Sequence, residues 1–150
     1  MKKPIRLFLA VCLLFFIAGF LPAQTAAELE AILNEPAVTC AQAAMFVLGS
    51  AGSALVQNDA FAQAAAMGWL PGNAAPNDHI TMGELSYLCM KAFGIKGGVM
   101  YAIFPGPRYA YRTMKIRSFI QGVADPAMKI SGERFLHILG NVLGAAGGEK

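Results

Sequence analysis

An all-helical fold of three related helix–loop–helix units, packed with pseudo-threefold symmetry, is what the sequence predicts, and three observations predict it. A hydroxyl residue (Thr39, Thr81 or Ser131) stands thirteen positions before a glycine (Gly52, Gly94 or Gly144) three times in the chain. Between hydroxyl and glycine the apolar residues recur at intervals of three and four, the spacing of one helical face. Ahead of each unit lies a further helical pattern, at residues 26–34, 58–67 and 107–119.

The amino terminus reads differently. "MKKPIR" carries three positive charges, and the fifteen residues from Leu7 to Leu21 carry none. A basic start, a short apolar run and the small residues of "LPAQTAAE" make residues 1–25 a secretory signal peptide in outline, cut after Ala23 or near Ala26. The run is shorter than the roughly twenty residues a spanning helix needs. The sequence therefore predicts an exported protein of the periplasm or cell envelope, with no stable membrane span after cleavage. Residues 26–144 form the helical domain, and residues 145–150 a flexible tail.

Lys2, Lys3 and Arg6 account for the whole formal charge of +3, and the remaining chain has nine bases and nine acids. Such neutrality gives no support to nucleic-acid binding. About 125 residues suffice for one domain with a real core. Outside the leader the cysteines are Cys40 and Cys89; an exported compartment permits a disulfide between them and their spacing does not require one.

Each unit carries the devices that set helix boundaries. Thr39, Thr81 and Ser131 read as N-caps, and Gln42 and Glu84 stand three residues on as capping-box partners, a place taken in the third unit by Arg134. Val38, Ile80 and Ile130 precede the caps, and Ala43, Leu85 and Phe135 follow four residues after them, the spacing of a hydrophobic staple. The glycines suit left-handed C-caps. Aligned positions predict core layers Ala43/Leu85/Phe135, Phe46/Leu88/Ile138, Val47/Cys89/Leu139, Ser50/Ala92/Val142 and Ala51/Phe93/Leu143. Small residues in one unit face large ones in another, as a fixed shared volume demands.

These motifs carry a resemblance. "GWLPGNAAPNDHITMGELSYLCMKAFG" and "SFIQGVADPAMKISGERFLHILG" are similar to the S-layer homology domain, and "PAVTCAQAAMFVLGSAG" matches its latter half. The resemblance covers most of residues 26–144. It implies a three-repeat helical spindle whose inter-repeat grooves hold anionic cell-wall polysaccharide, with no cofactor. The Thr-Arg-Ala-Glu motif of that family supplies an arginine for the polymer. Here Cys40, Met82 and Gly132 occupy its place, and none offers a guanidinium.

The repeat leaves one segment unexplained. The second and third caps lie 50 residues apart, against 42 for the first and second, and the extra length falls in "IKGGVMYAIFPGPRYAYR". Residues 28–84 hold six acids and no base, whereas residues 91–117 hold six bases and no acid. The segment is read in two ways. As a binding surface, Lys96, Arg108, Tyr109, Tyr111, Arg112 and Lys115, with Trp69 nearby as an aromatic platform, receive cell-wall polysaccharide or peptidoglycan, or serve an adaptor that contacts another envelope protein. As a structural device, the basic helix compensates the acidic first unit, Tyr109 and Ile116 are core positions, and Trp69 is a packing anchor.

Other constellations are weaker. His79 and His137 have no close cysteine or histidine spacing, so no metal site is predicted. No nucleophile stands in a recognisable strand–turn–helix context, and the chain reads as non-catalytic.

Overall fold

Local devices in the sequence do become helix ends. The computed structural model describes residues 21–53 and 56–148, and the signal-peptide expectation falls almost wholly outside them. Seven helices are present among the described residues, with no strand: α1 (Leu21–Leu33), α2 (Cys40–Ser50), α3 (Gln57–Ala66), α4 (Met82–Ala92), α5 (Val99–Ile103), α6 (Pro107–Ile116) and α7 (Gly132–Gly148). The protein is all-α. α1 spans the expected cleavage site, and Ile32, through which it joins the core, lies beyond that site.

Two caps close as full capping boxes. The Thr39 hydroxyl accepts from the Gln42 N–H, whose side-chain oxygen accepts from the Thr39 N–H; Thr81 and Glu84 do the same. α7 begins just after Ser131, but Arg134 turns away to donate to the carbonyls of Gln121 and Val123 at 3.1 and 2.8 Å. At the other ends Gly52 (φ 102°) and Gly94 (φ 62°) adopt the left-handed region, where a Cβ would be strained. Gly144 does not end a helix. α7 continues through Ala145 and Ala146, good helix formers, so residues 145–148 extend the helix instead of forming a tail.

The three cap junctions meet through backbone hydrogen bonds. Ile80 N–H donates to the Val38 carbonyl at 3.0 Å, Val38 N–H to Ile130 at 2.8 Å, and Met82 N–H to Met128 at 2.8 Å. The first N–H of α2 finds Asp78 O at 2.7 Å, and that of α7 finds Glu35 O at 2.9 Å. Helix starts leave such N–H groups without intrahelical partners, and here loops of another unit supply them. Val38, Ile80 and Ile130 are fully buried at this meeting point.

Helix pairing differs from the contiguous units. α2 packs most extensively on α3, α4 on α6, and α1 on α7. The first two cap helices thus partner a helix that follows them, whereas α7 returns to the chain's first described helix. That return is close enough to fix a residue type. A Cβ on Gly132 would overlap the Ile32 carbonyl oxygen.

The predicted layers hold near the caps and fail away from them. Ala43, Leu85, Phe135, Leu88, Ile138, Val47, Cys89 and Leu139 are all buried, and Phe46 meets Phe135 edge-on at 6.1 Å. Of the outer layers Val142 is buried and Ala92 and Phe93 are half-buried against the core, whereas Ser50, Ala51 and Leu143 are exposed. α2 and α4 terminate at Ser50 and Ala92, so Ala51 and Phe93 lie beyond the helical face that aligned them. In compensation the core extends in the other direction, to Cys40 and Met82 beside the junction.

Candidate binding surface

α6 has the two faces its sequence requires. Pro107 opens it at a position where the missing N–H costs nothing, and Ala110, Tyr111 and Met114 turn inward. Arg108, Arg112 and Lys115 stay in water. The inward face is offset from the one formed by Tyr109 and Ile116: Tyr109 is half-buried and Ile116 is 82% exposed. Tyr111 takes the anchoring place instead, and its hydroxyl donates to the Ala124 carbonyl at 2.6 Å. That bond fixes the loop before Ile130 to the helix, so Tyr111 is absent from the solvent face expected for it.

Beside α6 lies a groove of about 440 Å³ formed with the turn at Lys96–Gly98 and the first turn of α5. Its lining brings together three bases of the acid-free run, Lys96, Arg112 and Arg117, with the rings of Tyr101 and Tyr109. No acidic residue contributes among the described residues. Arg117 Nη2 donates to the Lys96 carbonyl at 2.9 Å, which ties the turn to the end of α6 and sets two cationic residues side by side. Gly97 permits the packing, because a Cβ there would run into the Tyr101 ring.

Tyr101 is the most constrained group in this groove. Its ring meets Tyr87 edge-on at 6.3 Å, and its hydroxyl oxygen is buried with no hydrogen-bond partner among the described residues. Burial, and then the neighbouring Tyr87, push its pKa up, so the phenol keeps its proton.

The remaining candidates lie elsewhere. Arg108 is exposed on α6 outside the lining, and the Lys115 ammonium sits 5.9 Å from the centre of the Tyr111 ring. Trp69 is half-buried in a separate groove of about 380 Å³ with Glu84, Tyr87, Pro105 and Pro107, where a carboxylate replaces the bases. A third groove, about 510 Å³, runs between the end of α4 and α7 past Phe93, Phe119 and Val142, sharing Lys96 and Arg117 with the first. Sequence reasoning does not single out Tyr101 or Arg117 as site residues. Arg117 is findable as the last base of the acid-free run; the inward turn of Tyr101 has no signature in the sequence.

Carboxylates elsewhere are engaged locally. Glu84 bonds the Thr81 N–H, Asp78 the Ala75 N–H, Asp125 the Ala127 N–H, and Glu35 the Gln42 side chain. Their partners are caps and turns, whereas the guanidinium of Arg117 goes to a backbone carbonyl and that of Arg134 to two backbone carbonyls and the Met128 sulfur.

Among the described residues the thiols of Cys40 and Cys89 are free and buried. Burial pushes Cys89 up to about 12. Cys40 rises to about 11 through burial, with the carboxylates of Glu84 and Asp78 adding to it. Neither is a thiolate at neutral pH, the form a nucleophile needs. His79 lies 3.1 Å from the Ala37 carbonyl, and His137 faces Asn141.

Comparisons with protein-family models, with curated proteins and with solved structures find no match for this chain.

Proposed function

We propose that this chain is an exported, non-catalytic module of the cell envelope, S-layer-homology-like in architecture, whose basic groove holds the anionic groups of a cell-wall glycan. The observation that carries the reading is the convergence of Lys96, Arg112 and Arg117 around two tyrosines with no acid in the lining. Cations recognise carboxylate or phosphate on the polymer, and aromatic faces stack on apolar sugar faces. The architecture is supported by the three junctions joined through backbone hydrogen bonds. The positions where the similar family carries arginine are buried here at Cys40 and Met82, so the cations come from the inserted segment instead.

The test is co-sedimentation with cell-wall sacculi stripped of protein. Lys96→Glu with Arg112→Glu should abolish retention, and raised salt should weaken it, since exposed charges are screened over about a nanometre. Arg108→Glu with Lys115→Glu, outside the lining, should leave most of it. Retention that survives the first pair on stripped sacculi removes the groove from the reading. Retention seen only on walls that keep their proteins favours the adaptor role.

A further inference from the structure

The apolar part of the groove, at Val99, Met100 and Ile116, runs on into an exposed surface at Ile103 and Phe104 that the glycan reading does not use. Five of the twelve large apolar side chains that stand exposed among the described residues fall between residues 99 and 116: Val99 at 76%, Met100, Ile103, Phe104 and Ile116 at 82%. Four of them belong to α5 and the residue that caps it. Only Tyr101 of that helix turns inward. Burying such side chains in the core was open to this chain, which does so at Leu85, Leu88 and Ile138. Here they project from a short helix flanked by glycine and proline.

Charge limits what can cover them. Lys96, Arg112 and Arg117 line one groove with Val99, Met100 and Ile116, and Arg108 is exposed on α6. Residues 91–117 contain no acid, Glu84 beside Pro105 and Pro107 being the carboxylate at the far edge of the patch. A second copy meeting it face to face would oppose cation to cation. The chain's own first residues, with Lys2, Lys3 and Arg6, are equally mismatched. The complementary surface is anionic outside and apolar within. α5 presents a wedge of protruding side chains, not a socket for a partner's side chain, and a lipid interface accepts a wedge without shape complementarity.

We propose that α5 seats this protein on an anionic membrane surface, with Ile103 and Phe104 entering the boundary between headgroups and acyl chains and the flanking bases contacting lipid phosphates. Wedge and groove share Val99, Met100 and Ile116, but neither Ile103 nor Phe104 lines the groove, so the tip of the wedge is separable from it. Wall and membrane contacts then come from adjacent faces of one insertion.

A position-specific probe tests this on the full chain, so that adsorption through the apolar leader is not mistaken for it. Phe104→Trp in a Trp69→Phe background leaves one indole, at the end of α5; Val123→Trp in the same background places it on a loop residue outside the inserted segment that is 90% exposed. With vesicles of phosphatidylglycerol and phosphatidylethanolamine, emission from the Phe104→Trp variant should shift to the blue and be quenched by nitroxide-labelled acyl chains. The Val123→Trp variant should do neither, and phosphatidylcholine vesicles should leave the Phe104→Trp emission unchanged. Adding Arg108→Glu with Arg112→Glu to the Phe104→Trp variant should raise the lipid concentration it needs by about thirtyfold or more, as expected when two bases beside an anionic leaflet are lost. Ile103→Ser with Phe104→Ser, compared with the parent by sedimentation on stripped sacculi, should leave wall retention intact. An indole at position 104 that stays unquenched on anionic vesicles, or equal quenching at positions 104 and 123, overturns the proposal, and neither outcome bears on the glycan reading.

Discussion

The cap junction and the segment from Lys96 to Arg117 are both rich in large apolar residues, yet one buries them completely and the other buries Tyr111 and Met114 while displaying five more. Val38, Ile80 and Ile130 have no exposed surface, whereas Val99 and Ile116 are among the most exposed large apolar residues described. Composition does not distinguish the two regions. Boundary chemistry does: at the junction each apolar residue sits beside a cap that fixes the direction of a helix, and the helix carries the next apolar residue back to the same centre. In the inserted segment Gly97, Gly98, Pro105 and Pro107 break the chain into short pieces, and the five residues of α5 are too few to bury a face on both sides. Apolar residues outside a helical period are left for something other than the core.

Paired substitutions break this contrast most directly. Leu88 is wholly buried on α4, and Leu88→Ala should destabilise the protein by roughly 2–5 kcal/mol through lost transfer energy and a residual cavity. Ile116→Ala removes a similar side chain from α6 and should change stability by no more than about 0.5 kcal/mol. Urea titration checks both. Similar costs would mean that the segment is part of the core and that the exposed wedge is not there.

A smaller effect probes the return of α7 to α1. Gly132→Ala places a methyl where the Ile32 carbonyl lies, so the two helices must separate, at roughly 1–3 kcal/mol. Gly140→Ala on the same helix meets nothing nearby and should be neutral or slightly stabilising. Thermal melting of the two variants should therefore move in opposite directions or leave Gly140→Ala unchanged. A harmless Gly132→Ala would show that α1 does not pack there.

The difference between these regions also sets how much the sequence disclosed. Caps, staples and the inner layers are legible because each is a local device: Thr81 and Glu84 sit three residues apart wherever the chain goes. Helix pairing is not, since nothing in the spacing says that α4 prefers α6 to the helix that precedes it. The outer layers fail where α2 and α4 end early. On α6 the basic face is legible as a whole, but its rotation is not. Tyr109 and Tyr111 both flank a plausible inward face, and the Ala124 carbonyl, thirteen residues on, holds Tyr111 in. The groove itself requires Gly97 to sit under Tyr101, a contact between residues whose partnership no motif records.

The smallest expected effect asks whether the caps that organise the junction are equivalent. Thr81 is half of a reciprocal box, its hydroxyl accepting at 3.3 Å and its N–H donating to Glu84 at 2.8 Å. Thr81→Ala leaves the Glu84 N–H at a half-buried site without that acceptor and should cost about 1 kcal/mol. Ser131 stands at the matching position but is exposed, and Arg134 cannot accept from its N–H. Water already reaches that turn, so Ser131→Ala should cost less than half as much. Equal losses in urea midpoint at constant slope would show that reciprocity adds nothing and that the hydroxyl alone sets each helix start. The predicted inequality instead makes α7 the least fixed by its own cap of the three helices that start at a hydroxyl residue, held in place by the Glu35 carbonyl and by Arg134 reaching back to the loop at Gln121 and Val123.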